Sequence, residues 1–143
     1  MIKKAALFII ILLLATSIAY ATKSINDFTI PSDYSKQSSD GKYFIPKTYD
    51  NPRFIIIKYN GSDDLFTNSS LYELWEGSEK NTFYFSNHQI SDIGAIELIE
   101  IDGEKFIVSS QYASTIKDED YLNNAMKSIL EFNQLNNVNP IVP

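Results

Sequence analysis

The chain has no cysteine, one histidine (His88) and one arginine (Arg53). Without cysteine there is no disulfide framework, no thiolate metal site, no cysteine nucleophile and no lipid-modified cysteine of a lipoprotein. One histidine cannot supply the ligand set of a zinc site alone. As a catalytic base it needs a nucleophile and an orienting partner. Ser86, Ser91 and Asp92 are near His88 in sequence, but G-x-S-x-G is missing. His88 therefore reads as a surface-loop residue, and no catalytic residue is expected.

The acidic pairs and triplets do not compensate. Asp63-Asp64 and Asp118-Glu119-Asp120 are the candidate calcium ligands, and neither fits D-x-[DN]-x-[DN]-G-x₅-E. No metal and no cofactor is expected. Basic residues are too few and too scattered to track phosphates, which excludes a nucleic-acid partner and disfavours anionic headgroups.

What the chain does have is an export segment. Lys3 and Lys4 give a positive start, Ala5 to Ile18 is free of charge, and Ala19-Tyr20-Ala21 presents small residues to a signal peptidase. Residues 1–21 read as a signal peptide with cleavage after Ala21. The apolar stretch 5–21, about 17 residues, is also near the lower limit of a membrane span, so an uncleaved anchor is the alternative. In both cases the lysines hold the N-terminus inside and residues 22–143 go outside. The expected location is secreted or on the outer face of the cytoplasmic membrane, with the membrane met only through residues 5–21. Removing Lys3 and Lys4 takes the formal net charge from −6 to −8. The exported part has a length that suits one domain.

Along that domain, Phe28 to Ile30 suggests a short strand ended by Pro31, followed by the polar stretch Asp33 to Asp40 and a turn at Asp40-Gly41. A strand from Lys42 to Ile45 stops at Pro46. Arg53 to Tyr59 is the most apolar run, which suggests a strand covered on both faces and placed centrally. The segment 60–81 is rich in Gly, Ser, Asp and Asn, with a short helix suggested over Ser69 to Trp75. Phe83 to Phe85 is another strand.

The clearest local signal runs from Ile96 to Val108. Asp102-Gly103 suits a two-residue type I′ turn and sets Ile101 against Glu104, Glu100 against Lys105, Ile99 against Phe106 and Leu98 against Ile107. Both faces of this hairpin are then apolar. An amphipathic helix from Asp118 to Asn136 supplies one cover, with Asp118 as N-cap and Asn136-Asn137 and Pro140 ending it. The fold class is α+β, a curved antiparallel sheet packed against a C-terminal amphipathic helix.

The order of export signal, F-x-I-P opening, G-K-Y strand, RFIIIKY strand, variable loop, IDGEKFIV hairpin and closing helix resembles the PsbP-like superfamily, including secreted DcrB-like proteins. The resemblance covers about residues 27–135. Its quoted positions are Phe28, Pro31 and Ser128, with Tyr34 where the group usually has tryptophan. It implies an α/β/α sandwich and a non-catalytic accessory role in an extracytoplasmic system.

The leading expectation is thus a non-catalytic exported accessory or interaction domain whose partner is an extracytoplasmic protein or a glycan. A second is a ligand-binding module for glycan, peptide or calcium using the 60–81 loop, with Tyr72 and Trp75 as contact residues. A third is an unusual hydrolase. Asn60 and Asn68 both open N-x-[ST] sequons in that loop and are the expected glycosylation positions.

Overall fold

A computed structural model describes residues 28–31, 34–36, 43–46, 51–61 and 65–143. The export segment, the turn at Asp40-Gly41 and Asp63-Asp64 lie outside the described residues. The strands are β1 (Tyr34–Lys36), β2 (Tyr43–Pro46), β3 (Arg53–Lys58), β4 (Tyr72–Glu76), β5 (Thr82–Asn87), β6 (Asp92–Ile101) and β7 (Glu104–Ala113), followed by the helix α1 (Glu119–Asn136). They form a seven-stranded sheet in the order β1-β2-β3-β7-β6-β5-β4, and every pairing is antiparallel.

The β6–β7 hairpin carries the expected register, from Ile101 opposite Glu104 to Leu98 opposite Ile107. Asp102 (φ 52°) and Gly103 (φ 81°) both take the left-handed conformation that a type I′ turn needs. The hairpin is longer than the sequence suggests, because β6 starts at Asp92. Its first eight residues are all buried. Odd-numbered residues of β6, such as Ala95 and Ile99, face the helix with Phe106 and Val108 of β7, while Ile96 and Leu98 face the other side with Ile107.

The helix forms where its apolar stripe predicts. Asp118 caps it, its side chain accepting from the backbone N–H groups of Asp120 and Tyr121, and Asn137 ends it in the left-handed conformation (φ 50°). Ala125, Met126, Ile129 and Phe132 are buried against β6 and β7. At the centre of this layer Phe132 meets Phe28 at 5.4 Å and Phe54 at 5.3 Å, and Phe28 also meets Phe106 edge-on at 5.1 Å. Phe28 thus anchors the N-terminal segment through its ring, although residues 28–31 form no strand.

The opposite face is closed by a connection rather than by a helix among the described residues. β3 lies on one half of the sheet and β4 on the far edge, so the chain between them has to cross. It crosses on the side away from α1, laying Tyr59, Leu65 and Phe66 over Ile96, Leu98, Ile107 and Phe83. Ile141 of the C-terminal tail joins that layer. The tail also extends the sheet: β5 pairs with β6 only as far as Glu97, and beyond that point Pro140 bridges to Ile99 and the Ile141 N–H donates to the Leu98 carbonyl at 2.8 Å.

Besides the strand expected over Phe28 to Ile30, two further expectations fail here. The short helix over Ser69 to Trp75 is instead the edge strand β4, with Tyr72 to Glu76 paired to β5 from Asn87 to Phe83. The helical spacing of Leu71, Leu74 and Trp75 is coincidental, and Leu71 is exposed. Also, Tyr34–Lys36 is a strand within what reads as a polar stretch.

Gly94 sits where β6 and β7 approach too closely for any side chain: a Cβ would lie 1.9 Å from the Ser110 carbonyl oxygen and 2.8 Å from Gln111 Cα. Gly94→Ala is expected to destabilise by at least the about 1–3 kcal/mol of an overpacked site. Phe132→Ala should cost about 3–5 kcal/mol. Urea denaturation with an unchanged m-value checks both.

Candidate functional site

Tyr72 and Trp75 occupy the same short strand, but an odd separation on a strand sends them to opposite faces. Tyr72 points to the side away from the helix, stacked on Phe85 at 5.7 Å, with its hydroxyl buried and without a hydrogen bond. Burial pushes that phenol well above its usual range. Tyr72 is therefore part of the second core layer. Within the 60–81 segment Leu65, Phe66 and Leu74 likewise pack on the sheet. The two residues expected to share a ligand do not meet.

Trp75 lies on the helix side, tilted against Tyr84 with ring centroids 6.0 Å apart. The Lys117 ammonium sits 4.9 Å from the Trp75 ring centroid and 2.6 Å from Glu73 Oε2. This Glu73–Lys117–Trp75 stack ties the segment leading into α1 to the edge strand. On the same side Tyr112 of β7 stacks on Tyr121 of α1 at 4.6 Å, and Tyr121 stays largely exposed. Because α1 packs on β6 and β7, the helix-side surface of β4 and β5 is left to these rings and to Ile116, which is 71 % exposed.

His88 is exposed in the β5–β6 turn, where its backbone N–H donates to the Leu71 carbonyl. Its ring has no carboxylate or hydroxyl partner among the described residues. Asn60 and Asn68 are both exposed, as a sequon requires. Asn68 Oδ1 accepts from the Leu74 N–H at 2.6 Å on the outer edge of β4. Asp118 is committed to capping α1, and among the described residues no three metal-ligating side chains gather.

Two buried polar groups escape sequence reasoning. Asp92 is joined by Arg53 Nη2 at 2.9 Å to each carboxylate oxygen and by Gln111 Nε2 at 2.5 Å, and Ser109 Oγ donates on to Gln111 Oε1 at 3.1 Å. The chain crosses β6, β7 and β3. Burial pushes the Asp92 carboxyl above its ordinary value, against the opposite pull of Arg53 and Gln111. Glu97 is the other. It is fully buried on the helix face of β6, where Asn133 Nδ2 donates to its Oε2 at 2.8 Å. Burial pushes this carboxyl up to about 8, Asn133 pulling it the other way.

Concave surfaces occur at the hairpin end and beside Asn133. One, of about 480 Å³, is bordered by Lys58, Tyr59, Asn60, Gly103 and Glu104 at the hairpin end. Another, of about 360 Å³, lies between the β4–β5 turn (Glu79, Lys80, Asn81), α1 (Leu130, Asn133) and the tail (Asn139, Pro140). No protein-family model, curated protein or solved structure matches the chain. What fold and site define together is a class: an antiparallel α+β domain with, among the described residues, one helical layer and an aromatic surface at the edge of that layer.

The polar ties separate by burial. Arg53→Leu leaves buried Asp92 with Gln111 alone and is expected to cost about 1–3 kcal/mol, the half-exposed guanidinium keeping the figure below that of a fully buried pair. Lys117→Met breaks an exposed pair and should cost less than about 1 kcal/mol. Thermal melts of the two variants side by side check the ordering.

Proposed function

We propose that this is a non-catalytic, exported interaction domain that works at the cell surface, either released or held at the outer face of the cytoplasmic membrane. The observation that carries this reading is the helix-side surface beside α1. Trp75, Tyr84, Tyr112 and Tyr121 are partly exposed there beside Ile116 and Lys117, and such a concentration of Tyr and Trp is the enrichment found at the centre of protein interfaces. Tyr and Trp offer large contact area at low entropic cost and also stack on sugar rings, so the partner is an extracytoplasmic protein or a glycan. The charged groups with displaced proton affinity, Asp92 and Glu97, are engaged in joining sheet strands and helix, which supports a structural use for them.

Export rests on residues 1–21, with their lysine start, uncharged run and Ala19-Tyr20-Ala21 ending. A place among PsbP-like proteins is supported by one convergence. Phe28 packs on Phe106 and Phe132, and the Tyr34 hydroxyl lies 3.2 Å from Ser128 Oγ, so Phe28, Tyr34 and Ser128 gather at one helix, and Pro31 between them in sequence is buried. A ligand-binding reading survives in a shifted form, with Trp75 approached from the helix side.

Ile116→Asp and Tyr121→Ser change exposed side chains, so both variants should melt within a few degrees of the parent. In crosslinking on intact producing cells they are expected to lose at least about tenfold of the specific adducts, while Ile90→Asp, an exposed change in the β5–β6 turn, keeps them. Turnover of any substrate in a hydrolase panel, abolished by His88→Ala, would refute the non-catalytic reading. Mass spectrometry of the native N-terminus tests export: Thr22, or an intact Met1 in the membrane fraction, is expected, and an intact Met1 in the cytoplasmic fraction contradicts it.

A further inference from the structure

Glu97 and Asn133 form a contact by which a buried charged residue type of the sheet meets the helix. Their single hydrogen bond leaves two atoms over. Glu97 Oε1 and Asn133 Oδ1 are both buried and both lack a partner among the described residues, and both are acceptors if the carboxyl is ionised. Two orphaned acceptors in one buried pair, each away from water, would carry a large desolvation cost. A single proton on Oε1 resolves both at once, since the acid O–H then donates to Asn133 Oδ1 while Asn133 Nδ2 donates to Oε2.

We propose that Glu97 is held as the neutral acid and closes a two-hydrogen-bond ring with Asn133, making the junction between β6 and the C-terminal half of α1 a proton-dependent latch. Among the described residues the surroundings offer no counter-ion. β5 presents Thr82 directly opposite, its hydroxyl donating to the Glu79 carbonyl, and β7 presents Val108. From α1 come Asn133 and, one turn earlier on the same stripe, Ile129. Lys127 and Glu131 of α1 and Glu79 and Lys80 of the β4–β5 turn are exposed. Burial is accordingly the first cause of the raised proton affinity, with the Asn133 bond opposing it.

The pH dependence follows in sign. The carboxyl binds its proton more tightly folded (about 8) than in its ordinary state (4.5), so its contribution is complete below about 4.5, declines through the window between, and is gone above about 8. Within that window each pH unit lowers the folding equilibrium constant by up to about tenfold. A rise in external pH loosens the latch beneath the cleft bordered by Asn133, Asn139 and Pro140.

Glu97→Gln separates the proton from the shape, because its new amide nitrogen donates to Asn133 Oδ1 at every pH. Denaturant unfolding of the full chain is measured for both proteins at about pH 5 and about pH 8. The parent and Glu97→Gln should match within a few-fold at pH 5, and the variant should be favoured by at least about tenfold at pH 8. Parallel profiles overturn the proposal. A second readout needs no variant: the Glu97 side-chain ¹³C carboxyl resonance of the parent should remain that of the acid at pH 6–7. Titration of that resonance near 4.5, as for an ordinary carboxyl, overturns it equally.

Discussion

The β6–β7 hairpin has two apolar faces, and the rest of the fold is arranged to cover both. Ile99 and Phe106 point one way, Leu98 and Ile107 the other, and both pairs are buried. A sheet with two hydrophobic faces needs two covers, because each exposed large aliphatic or aromatic side chain forgoes about 1.5–3 kcal/mol of burial. α1 supplies one. The β3–β4 connection supplies the other as a result of strand order, since only a crossing of the face brings the chain from β3 to the far edge at β4. The C-terminal tail then closes the stretch of β6 that β5 does not reach.

The same arrangement determines which part of the helix side stays uncovered. One helix cannot span seven strands at a width of about 10 Å when neighbouring strands lie about 4.8 Å apart. The strands at the β4 edge are therefore left with aromatic residues facing partly outward. Glu73, Lys117 and Trp75 fix the approach to α1 against that edge, and Tyr112 on Tyr121 fixes the start of the helix. The surface is thus held from two sides by contacts of the fold itself, which favours a preformed interface.

Legibility in the sequence followed how local each signal was. The hairpin register could be read because Asp102-Gly103 specifies its own turn, and the helix ends because Asp118 and Asn137 act within one turn of themselves. β4 was misread because its identity depends on pairing with β5, while its apolar residues happen to fit a helical spacing as well. That error placed Tyr72 and Trp75 side by side when strand alternation separates them. Glu97 had a usable signal: strand parity in the hairpin aligns it with Ala95 and Ile99 on the helix face, and Asn133 follows Phe132 next to the buried stripe of α1. The Arg53–Asp92–Gln111 tie was legible only in part: extending the hairpin register brings Asp92 near Gln111, but Arg53 joins them only because β3, remote in sequence, pairs with β7.

Native-state amide hydrogen exchange measures the central claim, that the β3–β4 connection is a second structural cover and not a free ligand loop. The β6 and β7 amides should exchange only on global unfolding, and the Leu74 amide held by Asn68 and the Ser69 amide held by the Tyr72 carbonyl should be clearly protected with them. Exchange of residues 65–74 at the rate of an unstructured peptide, with β6 and β7 still protected, would contradict the account.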